Sequence, residues 1–489
     1  MWDQKINLSK KNIVLFFYVI ILSLIGPLIF WVSNKENNIA IKPNRVKQEE
    51  KNANRNSIRS VGKIPQNIQN RLSLGEKILV SADTNPTKKA AIASIVNENY
   101  NDAHTQFLAS LQVEPNDPEA LIYANNAIAA LQKNEIRIGV SVPIGGNLNV
   151  AKEILRGVAQ AQQEVNRSGG INGRFIKIQI ANDDNNVEIG KQIANAFVRD
   201  ERIIGVIGHN ASEVSIATAP IYEQSGLVMI SPTSAAKHLT QMGSYIFRTT
   251  PSTRKLADKL AEYTTDYAKK SNIAICSDSE SSASQSFKEE FIYSLYERRG
   301  KIARTKCDFA SPNFDPYQIT SKAVSDGADA LLLIPSIYKI NQAIETARAN
   351  QGRLTLLGNH SLNTYVTLKE GGQDVNGMVS VAPWYPEDSP LSYFSLNARK
   401  LWGGDVNWRT AMAYDATKAL IDSFKLGSSR EDVRQSLLNP SFYAEGATNE
   451  VTFIPSGDRN MQGTLVRVQP GSQSGVNYTF KRFETPVRN

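Results

Sequence analysis

Two short loops hold the residues best suited to chemistry: Gly208-His209-Asn210-Ala211-Ser212 and Ser231-Pro232-Thr233-Ser234-Ala235. Each follows an apolar run, carries hydroxyls and opens a helical stretch. Such a loop offers hydroxyl donors and the free N–H groups at the positive end of a helix, which hold a carboxylate without a full counter-charge. Plain helix capping by Ser212 and Ser234 uses the same groups and is compatible with binding. Reactive chemistry finds less support. The chain lacks Gly-x-Ser-x-Gly, Gly-x4-Gly-Lys-Ser/Thr and His-Glu-x2-His, and no Gly-x-Gly-x2-Gly follows its first strand-like run. His104, His209, His238 and His360 are scattered, with no pair spaced to share a metal on one helix. Asp183-Asp184 follows a strand-like run, where carboxylates more often cap loops than react. The residues therefore predict a binding protein and not an enzyme, with no cofactor and no metal.

The elements that must position these loops begin at residue 135, where apolar runs of four to eight residues alternate with amphipathic stretches. Strands are predicted at 136–142, 175–181, 203–208 and 227–230, with helices over 150–166, 187–198 and 213–224 between them. A second set follows, with strands at 272–276, 301–307, 330–335 and 354–358 and helices over 284–298, 319–326 and 340–349. Alternation of this kind builds a parallel sheet, and two consecutive sets build two doubly wound α/β lobes. In open α/β sheets ligands sit beyond the carboxyl ends of the strands, which is where both hydroxyl-bearing loops fall. Cys276 and Cys307 lie near the ends of two strands, and a disulfide and two separate buried thiols are both open.

The segments GGINGRFIKIQIANDD, IIGVIGH-x2-S, IYEQSGLVMISPTSA, YIFRTTPS and MAYDATKAL occur in a telling order. From about residue 136 onwards the chain resembles type I periplasmic solute-binding proteins of the leucine/isoleucine/valine-binding family, in which they follow one another the same way. The resemblance implies two Rossmann-like lobes that close over a ligand, an ABC permease as partner, and no catalysis. Three crossovers are expected near Thr250, Val381 and Gly446, giving lobe 1 about residues 134–250 and 382–446 and lobe 2 about 251–381 and 447–489. In that family the serine after the Gly-His loop binds the ligand carboxylate, and Ser212 matches it. The Ser-Pro loop supplies backbone groups and a threonine hydroxyl to the α-ammonium; here it reads Thr233 and Ser234, with Ala235 at the threonine position. An acidic residue expected after LTLLG is replaced by His360. A tyrosine expected after NIAIC is absent from Asp278-Ser279-Glu280-Ser281-Ser282, where Ser282 is the candidate contact and Asp278 or Glu280 a compensating carboxylate. The carboxylate half of an amino-acid site is kept and the ammonium half lost. A buried ammonium without a carboxylate is strongly unfavourable, so a small polar or anionic solute is expected ahead of a free α-amino acid.

Ahead of the lobes, residues 12–32 carry no charge for 21 residues, about the length a helix rising ~1.5 Å per residue needs to cross a ~30 Å hydrocarbon core. Lys5, Lys10 and Lys11 precede them, which keeps the short N-terminus cytoplasmic and sends the rest outward. A cleaved signal peptide is the competing reading, and no small-x-small site follows to support it. Residues 1–33 thus predict a single-pass anchor in a bacterial inner membrane, with the bulk of the chain in the periplasm or outside. Residues 34–72 predict a disordered basic linker. Residues 73–133 predict a helical hairpin whose Tyr100, Ala103, Phe107, Leu111 and Pro115 resemble a tetratricopeptide repeat. The hairpin reads as a structural spacer or as a docking surface for a protein partner; docking would make the molecule a ligand-sensing receptor or scaffold. The net charge of +8 sits in the first 72 residues, which hold 12 Lys and Arg against 4 Asp and Glu. The remaining 417 residues are formally neutral, and a nucleic-acid surface loses its electrostatic support.

Overall fold

The computed structural model describes residues 64–447, 450–472 and 474–484. The expected anchor and most of the linker lie outside the described residues, among which no helix is long and apolar enough to cross a membrane. Three helices lead in: α1 (Pro86–Val96), α2 (Tyr100–Val113) and α3 (Pro118–Gln132). Pro86 and Pro118 occupy first-turn positions, where their missing N–H costs nothing, and the Asn85 and Asp117 side chains cap the two helices. α3 is apolar on several faces, with Leu121, Ile122, Tyr123, Ala124 and Ala127 all buried, so it must be covered on more than one side. Its Asn126 amide donates to the Ile178 carbonyl (2.7 Å) and accepts the Ile178 N–H (2.8 Å), closing a strand edge of the following lobe. Phe107 and Tyr123 share one apolar cluster with Ile176 and Ile178. The expected division at residue 133 therefore marks a change of secondary structure and not of core, and α3 is removed as a docking surface.

Six strands form the first sheet: β1 (Leu72–Ser73), β2 (Glu135–Val142), β3 (Phe175–Asn182), β4 (Ile203–Ile207), β5 (Met229–Ser231) and β6 (Ile246–Arg248). They lie in the order β1-β3-β2-β4-β5-β6, parallel throughout except for β1. The order reverses at β2, so a crevice opens past the carboxyl ends of β2 and β4. α4 (Leu148–Arg167), α5 (Val187–Arg199) and α6 (Ser212–Gln224) connect these strands.

The second lobe begins with α7 (Thr253–Glu262), then β7 (Asn272–Ser277), α8 (Ser282–Glu297), β8 (Lys301–Ile302), β9 (Cys307–Asp308), α9 (Pro316–Ser325) and β10 (Ala330–Ile334). α10 (Ile340–Asn350), β11 (Thr355–Gly358), α11 (Tyr365–Gly371) and β12 (Val379–Ala382) continue it. The single strand expected at 301–307 is two short ones. Both pair with β7, at Asn272–Ile273 and at Cys276–Ser277, and residues 304–306 leave the ladder between them. That register sets Cys276 opposite Cys307, and the two are joined by a disulfide.

After β12 the chain returns to lobe 1 as α12 (Tyr393–Trp402), α13 (Trp408–Ser423), α14 (Arg430–Leu438) and the ribbon β13 (Ala444–Glu445) and β14 (Glu450–Val451). β15 (Thr464–Pro470) and β16 (Tyr478–Arg482) then complete the second sheet, whose order is β16-β15-β12-β11-β10-β7-β8 with β9 beside β7. The third crossover thus falls at residues 460–463 and not near Gly446. Asp458 pairs with the buried Arg248 (2.5 Å) and Arg459 with the buried Asp415, and Val451 and Phe453 pack with the lobe 1 core, which together keep the segment on lobe 1. α13 lies against α4 so closely that a Cβ on Gly157 would fall 2.2 Å from the Thr410 carbonyl oxygen. Glycine at 157 therefore sets how far the start of α13 enters the crevice.

Candidate functional site

The lobes face each other across a cavity of about 350 Å³, walled by Asn210, Ser212, Glu213, Thr233, Trp408 and Arg409 on one side and by Asp278, Glu280, Ser281, Tyr338, His360 and Ser361 on the other. In lobe 1 the site is built on a stapled loop. Gly208 (φ +134°) brings β4 so near β2 that a Cβ would lie 2.7 Å from the Ser141 carbonyl oxygen. The buried His209 imidazole then spans Asp183 Oδ2 (2.6 Å) and the Tyr222 hydroxyl (3.0 Å). Asp183 also accepts the Ser141 hydroxyl (2.8 Å) and the Asn185 N–H (2.9 Å), while Asp184 pairs with Arg71 (2.5 Å). Both carboxylates hold loops in place.

The sequence-derived candidates divide in two. The His209 carbonyl receives the hydroxyls of Ser231 (2.8 Å) and Ser234 (3.2 Å), so Ser234, fully buried, ties loop to loop. Ala235 is also fully buried, its carbonyl accepting the Thr253 hydroxyl (2.6 Å) beside the first crossover. Neither belongs to the cavity wall. Ser212 and Thr233 do. Ser212 is the first residue of α6 and not its cap; the cap position is Ala211, whose side chain cannot accept a first-turn N–H. Ser212 Oγ accepts the Ala236 N–H (3.3 Å), and the Thr233 hydroxyl donates to the Asn210 carbonyl (2.9 Å). The uncapped start of α6 thus faces the cleft, where an anionic oxygen meets free N–H groups, a hydroxyl and the positive helix end.

In lobe 2, Ser281 caps α8 and lines the cavity, whereas Ser282 gives its backbone N–H to Glu213 Oε1 of lobe 1 (2.6 Å). Ser282 therefore joins the lobes through its main chain and lies outside the wall. Lys237 adds two more ties, its N–H to Ser286 Oγ (3.1 Å) and its ammonium to Glu289. Asp278 is buried and accepts the Glu280 N–H (3.1 Å), which shapes the loop ahead of α8. His360 is buried in the wall against the edge of Trp408, with ring centroids 5.6 Å apart, and its Nδ1 has no partner among the described residues. Burial, helped by the nearby Arg409 guanidinium, holds its pKa down at about 3, so the ring is neutral.

Arg409 is the residue that sequence reasoning missed. It follows the cap residue Asn407 at the start of α13 and is buried with its guanidinium 4.4 Å above the Trp408 ring. Its Nη1 stands 3.4 Å from Glu153 Oε2 and 3.4 Å from Asn407 Oδ1. Burial lowers its pKa against the pull of Glu153. The only local signal is a helix start at Asn407; the rest depends on α13 lying against α4.

The profile of the periplasmic binding protein family matches residues 135–473. Leu/Ile/Val-binding protein homolog 1 of Brucella abortus is 32% identical over 146 residues, 29% of this chain and 39% of that protein. The Leu/Ile/Val-binding protein BraC3 of Rhizobium johnstonii is 24% identical over 351 residues, 70% of this chain and 94% of that one. A leucine-binding protein of Thermotoga maritima has the same fold, with a TM-score of 0.63 at 20% identity over 71% of this chain and 97% of that one. The chain spans only 31% and 39% of the length of the first curated relatives it matches.

Proposed function

We propose that this chain, which belongs to the periplasmic binding protein family, is the extracytoplasmic solute-binding component of an ABC-type importer and that it closes its two lobes over a small anionic solute. The observation that carries this reading is the pairing of the uncapped start of α6, beside Ser212 and Thr233, with Arg409 and a neutral His360 in one interlobe cavity. A carboxylate is favoured at the first, and no carboxylate at 360 offers itself to an ammonium. Residues 1–33 tether the molecule to the membrane in this proposal, and the permease is its partner.

Thermal-shift measurements and titration calorimetry on the purified full-length chain test it against amino acids, amides, ureas and organic acids. Organic acids are expected to raise the melting temperature and to bind one to one. Leucine, isoleucine and valine are expected to do neither, and tight binding of any of the three would refute the argument from His360.

A further inference from the structure

The interlobe cleft does not end at Ser212 and His360. Arg409 also walls an adjoining hollow of about 450 Å³ that reaches Glu153, Arg156 and Tyr365. Arg409 is only 4% exposed, its two polar contacts are long, and neither Nε nor Nη2 makes a hydrogen bond among the described residues. Arg156 gives its Nε–H to Asn116 Oδ1 (2.7 Å) and pairs with no carboxylate among the described residues. Glu153 is the one carboxylate set between two guanidinium groups, because Asp83 already pairs with Lys152 (2.7 Å). His360 carries no charge to help or hinder. Of the acidic residues lining the cleft, Glu213 of lobe 1 holds the Ser282 N–H and Asp278 of lobe 2 the Glu280 N–H, while Glu280 is exposed. The wall thus holds a buried positive charge without a full partner, which is costly unless an anion meets it.

We propose, resting on the solute-binding reading above, that the ligand carries two carboxylates, one at the first turn of α6 beside Ser212 and the second paired with Arg409 in the hollow shared with Arg156. The planar guanidinium fork matches a carboxylate with two parallel hydrogen bonds. Asn116 comes from the loop between α2 and α3, outside the residues that match the family, and serves as a positioning residue for Arg156. Linear dicarboxylates of four to six carbons carry this chemistry without an ammonium to be paired; an acidic amino acid carries both carboxylates with an added ammonium.

Titration calorimetry on the full-length chain decides the matter, using succinate, glutarate, adipate and L-glutamate, each beside the monocarboxylate of the same length. At least one two-carboxylate solute is expected to bind about 30-fold or more tightly than its monocarboxylate, since truncating one member of a buried charge pair costs at least that much. Arg409→Gln is expected to erase this selectivity, Arg409→Lys to keep part of it, and Asn116→Ala to shrink it severalfold with the melting profile retained. Should Arg409→Gln fail to fold, the lysine variant and Asn116→Ala carry the test. The proposal is overturned if both acids of a pair bind equally and lose affinity together in Ser212→Ala, or if selectivity survives Arg409→Gln. If no carboxylate of either kind binds, the anionic-solute reading falls with it.

Discussion

Ser212 is tied to the fold by a single hydrogen bond from the Ala236 N–H, so replacing it separates binding from stability. Ser212→Ala is expected to weaken carboxylate binding by about 1 to 3 kcal/mol. Stability should fall by less than the ~1 kcal/mol of a lost cap, because Ala211 holds the cap position. Calorimetry and a melting curve on one preparation measure both. His360 bears on acid stability. Its folded pKa of about 3 lies below the ordinary 6.5, so the unfolded chain takes up a proton that the folded one refuses. The stabilising contribution is complete above about pH 6.5 and is lost as pH falls toward 3, by at most ~1.4 kcal/mol per pH unit. Melting temperatures between pH 7.5 and 4.5 should drop on the acid side, and His360→Gln should flatten the drop; parallel curves would mean that water reaches the ring. The place of Ser212 in the cavity wall was legible in the sequence because it depends on a local pattern, a hydroxyl at a helix start. Ser234 misled because its hydroxyl turns to the His209 carbonyl, 25 residues upstream, and Ala235 because it is buried beside the first crossover, where its carbonyl accepts the Thr253 hydroxyl. Arg409 was illegible because its place in the cleft wall depends on α13 packing against α4, an approach that needs glycine at 157 on the other helix.

At the scale of elements, α1 and α3 are joined by a buried charge cluster. Lys88 is fully buried, with its ammonium 2.5 Å from Asp117 Oδ2 and 2.8 Å from Glu119 Oε2. Burial pulls the ammonium down, Glu119 and Asp117 more than offset it, and the net shift is upward; burial raises the Asp117 carboxyl to about 6. Lys88→Met would leave both carboxylates without a cation, and a loss of about 3 to 5 kcal/mol is expected in urea unfolding. Asp117→Asn with Glu119→Gln in the same background should recover part of it, and no recovery would refute the charge argument. The core strands were legible because a sheet covered on both faces reads as unbroken apolar runs, as in Ile203–Ile207. Residues 301–307 read as one strand because nothing local reveals that their two ends pair with different parts of β7. Gly446 looked like a boundary, and the partners that hold the segment on lobe 1, Arg248 and Asp415 among them, are distant in sequence.

For the whole molecule, the proposed closing motion has a built-in reporter. The Trp408 ring of lobe 1 meets His360 of lobe 2, so a bound solute that draws the lobes together changes the surroundings of that indole. A bound organic acid is expected to shift tryptophan emission and reduce the radius of gyration in solution scattering, and Trp408→Phe to remove most of the emission change. A solute that raises the melting temperature while leaving both observables alone would rule out closure. The lobes also share a feature of chain order. Lobe 1 needs α13, which begins at Trp408, and lobe 2 receives β15 and β16 last. While the polypeptide is still being made, α4 therefore waits without its neighbour and β12 stands as an open edge beside which any passing strand can dock. The growing chain is therefore expected to need escort. Its yield from a secretion host should follow the supply of chaperones that shield half-emerged chains more closely than the stability of the finished molecule.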